Sequence, residues 1–224
     1  MPIEFQDVLK INIVLVGMHL LNEQHQRSAF ATAVGEEVEP EPIFSGPIFP
    51  LPLPGVEAGL AMQLRKDRIR IDSLPSRTVI EQEYPTHDSL ERLTEVAAHA
   101  IGLTDLGDQT MTAFGLNIEQ VYRHPGEKPT EMYLAEKLFP HQQLFFKELV
   151  LTAGAGRFTY EGDDNKWNFV VEPRANDATN RKVFMSLNLH RDQQQVPNRE
   201  EILDLFQQVW NRSRELATRL DGGA

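Results

Sequence analysis

The C-terminal segment constrains the fold most. Residues 197–220 read PNREEILDLFQQVWNRSRELATRL, and Ile202, Leu205, Phe206, Val209, Trp210, Leu216 and Leu220 recur with a helical period. That period puts them on one side of an α-helix, with charged residues on the other. Asn198 followed three residues later by Glu201 predicts a capping box at its start. A stripe of this length has no reason to exist unless it covers something, and the rest of the chain offers mainly strands.

Those strands announce themselves by alternation and β-branched content. Residues 8–17, VLKINIVLVG, set Leu9, Ile11, Ile13 and Leu15 on one face, so a strand covered mainly on one side is expected. Residues 20–34 carry Leu20, Leu21, Phe30 and Val34 at loosely helical spacing and predict a helix. Residues 58–84 read as consecutive antiparallel strands, with RIRID alternating, Pro75 setting a turn and TVIEQEY returning. Leu90, Leu93, Val96, Ala97, Ala100 and Ile101 predict a helix that Gly102 ends, and residues 112–122 predict a further strand. The order β-α-β-β-α-β is that of a ferredoxin-like module.

The second half predicts a short helix over 129–139 with a stripe of Met132, Ala135 and Phe139 beside Leu138. A four-stranded meander should follow, over 145–153, 156–162, 166–173 and 182–190, before the long helix. The expected class is therefore α+β with mostly antiparallel sheets. Two regions, 1–125 and 126–224, are expected to pack as one compact unit, and no internal repeat is visible.

Residues 35–55 stand apart, with six prolines and four glutamates. Proline lacks a backbone donor and fixes φ, which excludes a central strand or a helix interior. The stretch reads as an extended strap pinned to the surface by Ile43, Phe44, Ile48, Phe49 and Leu51. A sharper reading makes its PLPLP a polyproline segment for a partner's groove.

Composition narrows function by exclusion. The formal net charge is −11, with 17 acids against 8 bases in residues 1–112 and 16 against 14 afterwards. Nucleic-acid affinity is built on lysines and arginines that neutralise phosphates, so that class is disfavoured, as are anionic membrane surfaces. There is no cysteine, which removes disulfides, thiol nucleophiles and cysteine-ligated metals and suits a reducing cytoplasm. The N-terminal sequence has no basic region before an apolar stretch, so it does not read as a secretory signal. No apolar run is long enough to span a bilayer.

Catalytic and cofactor patterns fail one by one. The stretch 152–158, TAGAGRF, has two glycines but no lysine after them and no helix following, so it is read as a turn between strands rather than a phosphate loop. Asp163, Asp164 and Asn165 lack the alternate spacing of a calcium loop. Seven histidines are present, none paired at i, i+4 around a glutamate. His87, Asp88 and Ser89 are too close along the chain to align as a triad and read instead as a helix start.

One basic cluster remains as a candidate contact for an anion or a partner: Arg65, Lys66, Arg68, Arg70 and Arg77, in an otherwise acidic half. Arg68 and Arg70 are expected to share a strand face and either grip an anionic group or pair with Asp72, Glu81 and Glu83. No catalytic residue, cofactor or metal ligand is assigned. The preferred reading is a non-enzymatic cytoplasmic protein, bacterial in style, that contacts another protein or a second copy. The alternative is a small-ligand binder or enzyme with a pocket between the sheet and the C-terminal helix.

Overall fold

A computed structural model of the chain describes residues 3–45, 57–86, 89–105, 109–139, 154–162 and 165–222. Its elements run β1 (Glu4–Val16), α1 (Gln24–Val34), β2 (Pro40–Ser45), β3 (Glu57–Leu64), β4 (Ile69–Leu74), β5 (Arg77–Glu83), α2 (Ser89–Leu103), β6 (Ala113–Arg123), α3 (Thr130–Leu138), β7 (Gly156–Gly162), β8 (Asn165–Pro173), β9 (Lys182–Asp192) and α4 (Arg199–Leu220). The class is α+β, as expected. The strands form one antiparallel sheet in the order β2-β3-β4-β5-β1-β6-β9-β8-β7.

That order overturns the ferredoxin-like expectation. A ferredoxin-like module interleaves its strands, whereas here β2 to β5 pair consecutively and the last of them returns to β1. The physical reason is an extra strand in the proline segment, together with the short turns at 65–68 and 75–76 that keep β3, β4 and β5 side by side. The separate four-stranded meander is likewise not matched: β7, β8 and β9 continue the same sheet, which has nine strands among the described residues. Its expected first strand, 145–153, lies outside the described residues.

The order also shows a repeat that the sequence hides. Both β1 and β6 are followed by a helix, then a meander whose last strand (β5 or β9) pairs back onto the starting strand, then a second helix. A similar order thus arises twice, with four strands in the first meander and three among the described residues of the second, from sequences with no visible similarity.

By contacts the chain divides into two compact units, Lys10–Leu116 with His190–Phe206, and Met1–Leu9 with Asn117–Leu189 and Gln207–Ala224. In the first, Ile11, Ile13 and Leu15 alternate into the core of β1, Ile69 and Ile71 do so on β4, and Ile80 on β5. Phe30 and Val34 of α1 and Leu93, Val96, Ala97 and Ala100 of α2 are also buried.

The expected helix over 20–34 starts only at Gln24, because the chain before it is held by side-chain hydrogen bonds instead. Thr78 Oγ1 donates to Met18 O (2.9 Å) and accepts from Leu20 N–H (3.1 Å), while Ser73 Oγ donates to Leu20 O (2.6 Å) and Thr104 Oγ1 accepts from Leu21 N–H (3.0 Å). Met18, Leu20 and Leu21 are thus fully buried without stranding their backbone. Gly17 opens this stretch at φ +83°, and its N–H donates to Ser76 O at 2.7 Å. A side chain there would be strained and would strike Thr110 O.

The first part of the expected strap, residues 40–45, is an edge strand, with Pro40 opposite Met62 and Ser45 opposite Glu57. Pro40 and Pro42 are two residues apart, so their missing donors fall on one side of the strand. An edge strand leaves one side unpaired, and there proline costs no ladder bond. Residues 46–56, with the PLPLP run, lie outside the described residues.

In the second unit, α3 rotates relative to expectation. Thr130, Tyr133, Leu134 and Ala135 are buried, whereas Met132 and Phe139 are exposed. The Tyr133 ring is drawn in by stacking on His124, with 4.5 Å between centroids and 11° between planes, an aromatic pairing that adds to plain area burial. Helix α4 keeps the expected start, a reciprocal capping box. Glu201 N–H donates to Asn198 Oδ1 (3.0 Å) and Asn198 N–H donates to Glu201 Oε2 (2.8 Å). Its buried stripe, Ile202, Leu205, Phe206 and Val209, continues through the small residues Ser213 and Ala217. Trp210, Leu216 and Leu220 are only half-buried.

Candidate functional site

That change of side-chain size along α4 makes room for a candidate site. Ser213 and Ala217 form the buried line of the helix's second half, and the larger Leu216 and Leu220 stand on the neighbouring face. The period-two rule brings Trp167 and Phe169 of β8 to one face of the sheet. The β7–β8 register sets Phe158 opposite Phe169 and Tyr160 opposite Trp167. Leu187 of β9 extends the floor, and Lys137 and Leu138 close the end from α3.

Together these residues bound a half-open groove of about 460 Å³, within the range typical of small-molecule sites. Apolar and aromatic side chains make its walls, while Lys137, Glu161, Arg212, Glu215 and Arg219 line it with charge. Arg212 donates to Glu215 Oε2 at 3.0 Å and Arg219 to Glu215 Oε1 at 2.6 Å. The Arg212 guanidinium also lies 5.8 Å over the Trp167 ring, within cation–π reach. Lys137 Nζ donates to Asp221 O at 2.8 Å. Glu161 has Lys166 at 3.7 Å.

Beside the groove, the same unit holds buried polar groups. Tyr122 donates to Gln120 Oε1 at 3.0 Å, and burial pushes its hydroxyl up to about 12 against the opposing pull of Ser213 and Arg214. Burial likewise raises Tyr133, and the Asp221 carboxylate that its hydroxyl meets at 3.2 Å reinforces the shift. Both phenols stay protonated at neutral pH. His124 places Nδ1 2.9 Å from Pro125 O, so a proton there donates to the carbonyl, and Nε2 is buried without a partner among the described residues.

The basic cluster is dispersed. Arg65, Lys66 and Arg68 are exposed on the turn between β3 and β4. Arg68 precedes the strand with φ 54°, so it does not share a β4 face with Arg70. Arg70 sits in β4 opposite Glu81 but pairs with Asp72 at 2.7 Å, and Glu81 takes Lys10 at 3.2 Å. Arg77 opens β5 at the far end of the hairpin, where it lies opposite Leu74. The turn amides of Arg65 and Lys66 already donate to Glu36 Oε1, at 2.9 and 3.2 Å.

The stretch with Gly154 and Gly156 leads into strand β7, with no helix after it. Gly154 lies so close over α3 that an added Cβ would be 2.6 Å from Ala135 N, and close approach of this kind explains a glycine there. Among the described residues no group of three metal-ligating side chains comes together, and no helix is long and apolar enough to cross a membrane.

No protein-family model matches the chain, and a search of curated proteins finds no relative of it. Sequence reasoning named the C-terminal helix as one wall of a possible pocket but none of the groove's charged residues. Their only signal was i, i+3 and i, i+4 charge spacing at Arg212, Glu215 and Arg219, which an exposed helix face shows equally well.

Proposed function

We propose that the protein is a small-ligand-binding protein whose ligand lies in the groove between α4 and the β7–β9 face. One observation carries the reading. Aromatic and aliphatic side chains from strands, α3 and α4 converge on a half-open volume of about 460 Å³ with a few charged groups among them, the usual make-up of a ligand pocket. Half-burial of Trp167, Leu216 and Leu220 is what a binding surface requires, because apolar area still open to water can be covered by a ligand. The carboxylates and the lysine of its lining are already engaged, Lys137 by Asp221 O, Glu161 by Lys166 and Glu215 by Arg212 and Arg219, which favours binding over catalysis.

A role through protein contacts has weaker support. Strand addition at β2 is hindered by Pro40 and Pro42 on one side of the strand. The basic turn has its amides engaged by Glu36.

The test is titration with phenylnaphthylamine, a neutral probe that fluoresces in apolar surroundings. Saturable one-to-one binding is expected, with loss in Leu216→Trp, which fills the groove. No saturable binding to the parent, or equal binding to the variant, overturns the reading.

A further inference from the structure

We infer that the ligand is an aromatic or flat apolar monocarboxylate whose carboxylate is received by Arg212 and Arg219. This rests on the groove being the ligand site. Charge accounting at its rim leads to the class. Glu161 is answered by Lys166, and Lys137 by the carbonyl of Asp221, with that residue's carboxylate 4.0 Å away. Glu215 alone stands between two guanidinium groups. Arg212, Glu215 and Arg219 therefore carry one positive charge in excess, on a chain whose net charge is −11.

Each guanidinium spends one of its five N–H donors on Glu215. The rest have no hydrogen-bond partner among the described residues. A ligand carboxylate completes an alternating arrangement of two guanidinium and two carboxylate groups, with room for bidentate geometry. These pairs are solvent-exposed, and exposed pairs contribute little, so Glu215 does not hold the arginines against a better-placed anion.

The body of the ligand is set by the walls. Tyr160 and Trp167 are cross-strand partners on one side, and Leu216 and Leu220 face them from α4. Arg212 above Trp167 joins the two halves of the site, so a carboxylate held by Arg212 places the attached ring against the indole.

The experiment compares naphthoate with naphthalenemethanol, which share a ring system and differ in charge, on the full chain by calorimetry. Naphthoate should bind about tenfold more tightly, the equivalent of one charge-assisted hydrogen bond, and added salt should narrow the gap. In Arg212→Gln/Arg219→Gln the preference of naphthoate over naphthalenemethanol should vanish, while saturable binding of naphthalenemethanol persists and shows that the groove is still there. Equal affinity of the two probes for the parent, or a preference that survives in the double variant, overturns the carboxylate assignment and leaves the groove standing. If neither probe binds, the ligand reading itself fails and this inference with it.

Discussion

The guanidinium of Arg212, on α4, stands 5.8 Å over the ring of Trp167, on β8. It ties the helix to the strand across the groove. Pairs of this kind at partly exposed sites contribute about 0.5–1 kcal/mol. A double-mutant cycle with Arg212→Ala and Trp167→Leu should return a coupling of about that size. Zero coupling would mean that helix and strand are held independently of this pair.

The two large aromatic residues of α4 should behave differently. Phe206 is 4% exposed and Trp210 is half-buried, leaning on Phe5 at 5.9 Å between centroids. Phe206→Ala leaves a cavity in packed surroundings and should cost about 3–5 kcal/mol in a denaturant titration. Trp210→Ala should cost clearly less, since part of its surface never leaves water. The reverse ranking would mean that the helix is rotated from the orientation described.

How much of this was legible beforehand differs by element. The stripe of α4 was readable because one periodic pattern met one capping pair, and both are local. In α3 the period was readable and the phase was not, since Tyr133 turns inward to stack on His124, a partner outside the helix. Strand β2 was hidden because proline excludes a strand only where its donor is needed, and an edge does not need it. The sheet order was out of reach, because pairing β5 back to β1 is decided by contacts some seventy residues apart in the chain. A pocket against α4 was expected as an alternative, but its lining was hidden for the same reason. Its walls come from five elements, and none of them carries a motif.

Acid should probe the loop between β8 and β9. Burial opposes ionisation of Asp177, but N–H donors from Arg181, Lys182 and Thr179 and the Thr179 hydroxyl outweigh it and lower its pKa to about 2. A carboxyl depressed in the folded state stabilises above its unfolded pKa, near 4, and that contribution is lost as pH falls through the folded value. Asp177→Ala should therefore cost about 1 kcal/mol at neutral pH, at the low end for a charged acceptor because the site is open to water. Parent and variant should converge in chemical-denaturation stability as pH drops from about 4 to 2. A constant difference across that window would contradict the assignment.

On the first unit, the Lys10–Glu81 pair spans β1 and β5 at 3.2 Å with both side chains mostly covered. Its coupling in a double-mutant cycle should lie at about 0.2–1 kcal/mol. Phosphate should leave the melting temperature unchanged, because Glu36 already occupies the turn amides of Arg65 and Lys66. A phosphate-dependent rise that Arg68→Ala abolishes would restore the basic cluster as an anion site.

The central claim, that the groove against α4 is where a ligand sits, is tested most directly by mapping naphthoate onto the backbone amides of the full chain by nuclear magnetic resonance. The account predicts that saturating shifts gather at Lys137 and Leu138, along Phe158 to Phe169, and on α4 from Arg212 to Leu220. Shifts centred instead on Arg65 to Arg77, or scattered without saturation, would contradict it.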